Sequence, residues 1–285
     1  MRISYVNGSF IPHEQATIHI DDRGTDFADG VYEVIAYKNR KLIDLEPHFA
    51  RLKNSLAFLH LAEPMNSNTL RTTINTLIGK NKIDDGLLYL RITRGVAERA
   101  HPFPSDTKTS LVMTVKEWKK PSDAEYTNGV KVITHPEIRW AWRHIKSICL
   151  LPNIMAKQKA ADLNAKEAWF VEKDGTITEG SSSNVYIVKN GIVITQPESN
   201  DILGGITRKT ILNLAQENNI KIDERKFTLT EAISADEAFM TSTSMGIIAV
   251  NEIDGKKIPL GTTARRLQGL YESYVNAIGE LPQIN

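Results

Sequence analysis

A single cysteine, Cys149, stands in the 285-residue chain. An intrachain disulfide is therefore impossible, and so is a thiolate zinc cluster. Such a composition fits a reducing compartment, and a cytoplasmic protein is the expectation. Long apolar runs are also missing. No stretch approaches the roughly 20 residues that span a bilayer. The start, Met1-Arg2-Ile3-Ser4-Tyr5, alternates apolar and polar residues and lacks the charged head and apolar run of a signal peptide. No membrane partner is expected. Lysine plus arginine total 35 and aspartate plus glutamate 34, so the basic surplus of a general nucleic-acid binder is absent. There is no Gly-Lys-Ser/Thr phosphate loop. His13, Glu14 and His19 miss the one-turn histidine spacing of zinc proteases, in a stretch that reads as a strand, and no metal site is expected. Ser181-Ser182-Ser183 lacks the glycine frame of a nucleophile elbow.

What remains is the composition of a globule with a real core, 41% hydrophobic and 24% charged. The length allows two domains or one large one. Asn7-Gly8 between short apolar runs signals a hairpin. Val31 to Tyr37 is rich in β-branched and aromatic residues, and Lys41 to Leu45 follows a polar turn. The period then changes: Phe49, Leu52, Leu56 and Leu59 recur at helical spacing, as do Leu70, Ile74, Leu77 and Ile78. Leu87 to Thr93 and Leu111 to Val115 return to strand character. These elements define a small domain, residues 1–118. Residues 119–124 read as a linker. In 125–285, Asp174-Gly175, Asn190-Gly191 and Asp254-Gly255 are hairpin signals. Helices are expected near 152–163, 206–217 and 262–278. Strands and helices mix without βαβ alternation, which favours an α+β fold.

One constellation carries chemistry. Glu179 ends a hairpin strand and is followed by Gly180, three serines, Asn184 and another strand. The chain then reaches Leu203-Gly204-Gly205-Ile206-Thr207-Arg208, where a helix begins. Free N–H groups at a helix start favour phosphate, and paired glycines allow close approach. A second hydroxyl cluster, Thr241-Ser242-Thr243-Ser244, follows the apolar run Ala238-Phe239-Met240. Arg99 and His101 are two residues apart before Pro102. An extended chain there turns both side chains to one face, where they converge on a small anion.

The stretch from Glu179 to Arg208 resembles the signature of the fold type IV (class IV) aminotransferases, which use pyridoxal phosphate (PLP). Asp22-Arg23-Gly24, Phe27 and Asp29 to Glu33 resemble the family's N-terminal strand motif, and His48, Arg51, Leu52, Thr93-Arg94-Gly95, Ile138-Arg139-Trp140, Ile145-Lys146-Ser147, Asn153 and Ala156-Lys157 extend the likeness over nearly the whole chain. It is nearest to the D-amino-acid transaminase branch. The resemblance implies a two-domain architecture, a small α/β N-terminal domain and a larger hairpin-rich C-terminal domain. It implies that Lys146 forms the Schiff base and moves the proton, and that Glu179 pairs the pyridine nitrogen. Arg51, Ile206, Thr207, Ser242 and Thr243 would hold the phosphate, with Leu203 against the ring and His48 and Arg139 in support. Tyr32, Arg99 and His101 would trap the substrate carboxylate, with Tyr89 lining the pocket. The pair would reach across a homodimer, so the active site is shared between subunits. The implied reaction moves the amino group of D-amino acids to 2-oxo acids. The same fold also serves 4-amino-4-deoxychorismate lyase and transaminases for branched-chain L-amino acids or amines. A non-enzymatic PLP carrier is a further alternative. The chain departs from the branch at Ala36, where lysine is usual, and at Met245-Gly246. Cys149 is expected to be small, buried and apolar in role.

Overall fold

The computed structural model describes residues 1–280. In chain order the elements are β1 (Ile3–Val6), β2 (Ser9–Pro12), α1 (Arg23–Phe27), β3 (Gly30–Lys38), β4 (Lys41–Leu42), α2 (Leu45–Phe58), α3 (Ser67–Asn81), β5 (Gly86–Thr93), β6 (Ser110–Glu117), α4 (Asp123–Asn128), β7 (Val130–Pro136) and α5 (Leu151–Asp162). They continue with β8 (Glu167–Val171), β9 (Ile177–Gly180), β10 (Asn184–Lys189), β11 (Ile192–Thr195), α6 (Ile206–Glu217), β12 (Ile222–Glu224), α7 (Leu229–Ile233), β13 (Glu237–Ser242), β14 (Gly246–Ile253), β15 (Lys256–Lys257) and α8 (Thr262–Glu280). None of the described helices is long and apolar enough to cross a membrane.

The chain divides into two compact units. The first holds Met1–Lys119, Ile145–Cys149 and the described residues from Val275; the second holds Lys120–His144 and Leu150–Tyr274. Two stretches expected within 125–285 thus belong to the first unit. The stretch 119–124 is not wholly linker either. Ser122 caps α4 reciprocally with Glu125, a capping box that starts a helix at Asp123.

The first unit is built on a six-stranded sheet of order β2-β1-β6-β5-β3-β4, antiparallel at every pairing. The Asn7-Gly8 turn has positive φ at both residues, the backbone twist that a two-residue hairpin needs. Strand alternation sets which face is the core. Val31, Ile35 and Tyr37 of β3, Leu88, Leu90 and Ile92 of β5, and Leu111, Met113 and Val115 of β6 pack with Phe49, Leu52 and Leu56 of α2 and with Leu70, Ile74 and Leu77 of α3. Glu33 shares the period of Val31 and Ile35, so it enters that same face. Tyr32, Val34 and Ala36 take the other face, and Ala36 is buried there.

The second unit is built on a nine-stranded sheet. Its path is β12-β11-β10-β13-β14-β7-β8-β9, and β15 pairs with β14. β14 with β7, β7 with β8, and β11 with β12 run parallel, and the other pairs are antiparallel. β8 to β11, β13 and β14 are buried along most of their length, as expected where both faces are covered. Trp169, Val185, Ile187, Met240, Ile248 and Val250 share one core with Phe227 and Ala232. Ala156 and Ala160 of α5 pack on Ile133 and Phe170 in another. Asn190-Gly191 and Asp254-Gly255 have positive φ at both residues, whereas at Asp174-Gly175 only the glycine does.

Three local expectations are corrected. Residues 13–19 form no strand: Pro12 ends β2 and a 3-10 turn follows at His13–Gln15. Arg23–Phe27, expected within a strand motif, is a short helix capped by the Asp22 side chain on the Gly24 N–H. β4 stops at Leu42, because α2 begins at Leu45.

Leu88 lies at the centre of the first core with no exposed surface. Leu88→Ala is expected to lower stability by about 2–5 kcal/mol through lost burial and a residual cavity, measured as a shift in the urea unfolding midpoint.

Candidate active site

Lys146 belongs to the first unit, and backbone pairing places it. Residues 146–148 run beside the start of β3: Tyr32 N–H donates to the Lys146 carbonyl at 3.0 Å, Ile148 N–H donates to the Gly30 carbonyl at 3.1 Å, and Val31 bridges Ser147. The Lys146 N–H donates to Ser55 Oγ at 3.3 Å. The amine Nζ lies 4.2 Å from the centre of the Tyr32 ring. Tyr32 in turn lies 5.7 Å from Tyr89, centre to centre. Burial raises the Tyr89 phenol above its ordinary value. Cys149, expected to be buried, is exposed; its thiol donates to the Ala28 carbonyl at 3.6 Å.

Arg51 and His48 project from α2 onto Glu33 of β3. Arg51 Nε donates to Glu33 Oε1 at 2.8 Å and Nη2 donates to Oε2 at 2.7 Å. His48 Nδ1 completes the set at 2.7 Å from Oε2. Burial pushes the Glu33 carboxyl up, but the Arg51 charge and the Arg51 and His48 hydrogen bonds outweigh it and hold the group at about 2. Burial lowers His48 below its ordinary value despite Glu33, and Arg51 and Lys146 add to the lowering. Sequence reasoning gave Glu33 no role. Its signal was a charge on the apolar period of Val31, Ile35 and Tyr37, which demands a partner.

Arg99 and His101 gather around Phe27. The Arg99 guanidinium is 5.2 Å from the ring centre, with its side chain 64% exposed, and the His101 ring lies at 5.5 Å.

In the second unit Glu179, at the end of β9, is 4% exposed. Arg139 Nη1 donates to its Oε1 at 2.5 Å, while Asn184 Nδ2 and the Leu203 N–H each donate to Oε2 at 3.1 Å. Burial nonetheless raises the carboxyl above its ordinary value, with Arg139 pulling the other way and Glu137 adding a small push upward. Arg139 is held in turn by Glu137, to which Nε donates at 3.0 Å and Nη2 at 2.7 Å. Neither Asn184 nor Glu137 was assigned a function from the sequence.

Asn184 ties the carboxylate to the start of α6. It also donates to the Leu203 carbonyl at 2.9 Å, and a Cβ on Gly205 would fall 2.0 Å from its Oδ1. Only glycine fits beside it. Gly205 is the N-cap and gives α6 no side-chain cap. The first-turn N–H groups of Ile206 and Thr207 lack intrahelical acceptors. Asn184 also pairs with Thr241, which brings the turn holding Ser242 and Thr243 to the same end of the sheet. Ser242 Oγ accepts from the Met245 N–H at 3.3 Å.

A buried carboxylate can accept from a protonated ring nitrogen, and a helix start with free N–H groups flanked by hydroxyls offers donors to a phosphate. The family described as amino-transferase class IV matches residues 30–253. The chain belongs to the class IV aminotransferases and is a PLP-dependent enzyme. It is 39% identical over 282 residues to the D-alanine aminotransferase of Listeria monocytogenes serotype 4b, covering 97% of each chain. It is 38% identical over 272 residues to that of Bacillus licheniformis, covering 95% of each. Among solved structures, the branched-chain aminotransferase of the thermophilic archaeon Thermoproteus uzoniensis with norvaline matches in fold, with a TM-score of 0.88 at 24% identity, covering 98% of this chain and 96% of that one.

Glu33 links acid stability to this site. Its carboxyl is depressed in the folded state, so its contribution is complete above the unfolded value of 4.5 and is lost as pH falls toward about 2. The loss is expected to reach a few kcal/mol. Unfolding of wild type and Glu33→Gln between pH 5 and 2 should show the steeper fall in wild type, measured on the PLP-loaded protein.

Proposed function

We infer that this chain transfers the amino group of D-amino acids such as D-alanine to a 2-oxo acid such as 2-oxoglutarate. The observation that carries the reading is the Arg99–His101 pair held on one aromatic ring, with its guanidinium open to an anion. A planar fork of donors suits a carboxylate. The likeness to D-alanine aminotransferases over nearly the full length supports it.

When bound, PLP supplies an aldehyde that takes up the amine and a pyridinium ring that draws electrons from the substrate Cα. Lys146 is the amine that would anchor the cofactor through its aldehyde and, when free, would carry a proton to and from the substrate Cα. Tyr32 keeps that amine over its ring, and Tyr89 borders Tyr32. Glu179, as a carboxylate, would accept from the pyridine N–H and so favour the protonated ring. Leu203 supports one ring face. The amides of Ile206 and Thr207, the hydroxyls of Thr207, Ser242 and Thr243, and the charge of Arg51 receive the phosphate. Arg99 and His101 receive the α-carboxylate. We read the working form as a homodimer in which each chain lends this pair to the other's Lys146.

With 2-oxoglutarate as acceptor, D-alanine is expected to be consumed at least about tenfold faster than L-alanine, a margin of about 1.4 kcal/mol. Chiral chromatography measures it, and a preference for L-alanine would overturn the reading. So would pyruvate release from 4-amino-4-deoxychorismate without an amino acceptor. Lys146→Ala should lose turnover and the long-wavelength absorption of the lysine-bound cofactor; wild-type turnover in that variant would remove Lys146 from its role.

A further inference from the structure

α1 and its flanks grip the segment that carries Arg99 and His101. The Arg23 N–H donates to the Gly95 carbonyl at 2.9 Å and the Ala97 N–H donates to the Asp21 carbonyl at 3.3 Å. Asp22 bridges Val96 and accepts from Thr93 Oγ1 at 3.0 Å. The Arg23 side chain, 4% exposed, reaches past the turn. Its Nη1 donates to the Ala100 carbonyl at 2.5 Å and its Nη2 to the His101 carbonyl at 3.4 Å. Asp29 fixes this guanidinium, accepting from Arg23 Nε at 2.9 Å while Arg94 donates to both of its oxygens at 2.7 and 3.0 Å. Arg94 is anchored on the carbonyls of Leu59 and His60 at the end of α2.

The Phe27 ring completes the arrangement. Arg23 stacks 4.6 Å from its centre, Arg99 at 5.2 Å and His101 at 5.5 Å. Asp26 adds an acidic oxygen 4.0 Å from Arg99 Nε. An exposed arginine ordinarily samples many rotamers, and ordering it on binding costs side-chain freedom. A guanidinium already resting on a ring, above a backbone pinned by a buried arginine, meets a carboxylate with much of that ordering done.

We propose that Arg23 and Phe27 are positioning residues for substrate carboxylate recognition, Arg23 by fixing the backbone of residues 100–101 and Phe27 by fixing the Arg99 and His101 side chains. The proposal rests on the reading of Arg99 and His101 as the carboxylate trap. Neither Arg23 nor Phe27 touches substrate; both act through the pair.

The test is the half-reaction of PLP-loaded enzyme with D-alanine, followed spectrally over a concentration series. Arg23→Lys and Phe27→Leu are compared with wild type, alone and combined with Arg99→Gln/His101→Asn. Phe27→Leu leaves the Arg23–Asp29 pair intact, so it stands should Arg23→Lys misfold. Each single variant is expected to raise the half-saturating D-alanine concentration about tenfold, with the limiting rate within about twofold of wild type. In the background lacking the pair, neither should raise it further. The same rise with and without the pair would overturn the proposal, since α1 would then act as general scaffolding. Unchanged half-saturation in both variants, with the Arg99→Gln/His101→Asn background impaired, would overturn it while sparing the carboxylate trap. A background that binds D-alanine like wild type would sink the trap and the proposal with it.

Discussion

A carboxylate sealed from water has to find its donors in the protein, and Glu179 imposes that demand on the second unit. Its oxygens recruit Arg139, Asn184 and the Leu203 N–H. Each recruit fixes something else. Asn184 occupies the space that a side chain at Gly205 would need, so the start of α6 is bare backbone. Arg139 needs Glu137 to hold its other edge. Thr178, next to Glu179, donates its hydroxyl to Glu137 at 2.9 Å. The strand end, the helix start and the stretch around Arg139 are thus set by a single acid. The adjoining serine turn is tied in a similar way. Ser182 and Ser183 donate to buried Glu167 at 2.7 and 3.3 Å, and Ser181 donates to it as well.

The first unit holds a second buried acid with the opposite outcome. Glu33 receives two donors of one arginine fork and a histidine, and its carboxyl drops to about 2. Glu179 receives one arginine N–H, an amide and a backbone N–H, with Glu137 nearby, and its carboxyl rises. Equal burial therefore yields a permanent anion in one place and a group able to share a proton in the other. The first suits holding Arg51 still.

Much of the fold was legible because its signals are local. Asn7-Gly8, Asn190-Gly191 and Asp254-Gly255 each turn a hairpin, and the recurrence of Leu70, Ile74 and Leu77 marks α3. Failures came where distant contacts decide. Nothing in residues 145–149 announces pairing with β3, more than 100 residues earlier, so chain order alone puts them in the wrong unit. The capping box at Ser122 was hidden by the charge and proline around it. At the site, the signature stretch pointed to Glu179, Leu203 and Thr207. Asn184, which holds Glu179 and the Leu203 carbonyl, and Glu137, which holds Arg139, have side chains that look like ordinary loop and strand polarity until a partner is known. Glu33 was readable in principle, since it interrupts an apolar strand face, but only the structure names Arg51 and His48 as its answer.

The exposed thiol of Cys149 follows Lys146 by three residues on the strip that lies along β3. Because the chain has no other cysteine, a maleimide dye or nitroxide would attach at one position without any engineering. A label there would sit three residues from Lys146 and report on the surroundings of the strip along β3 in the unmutated protein.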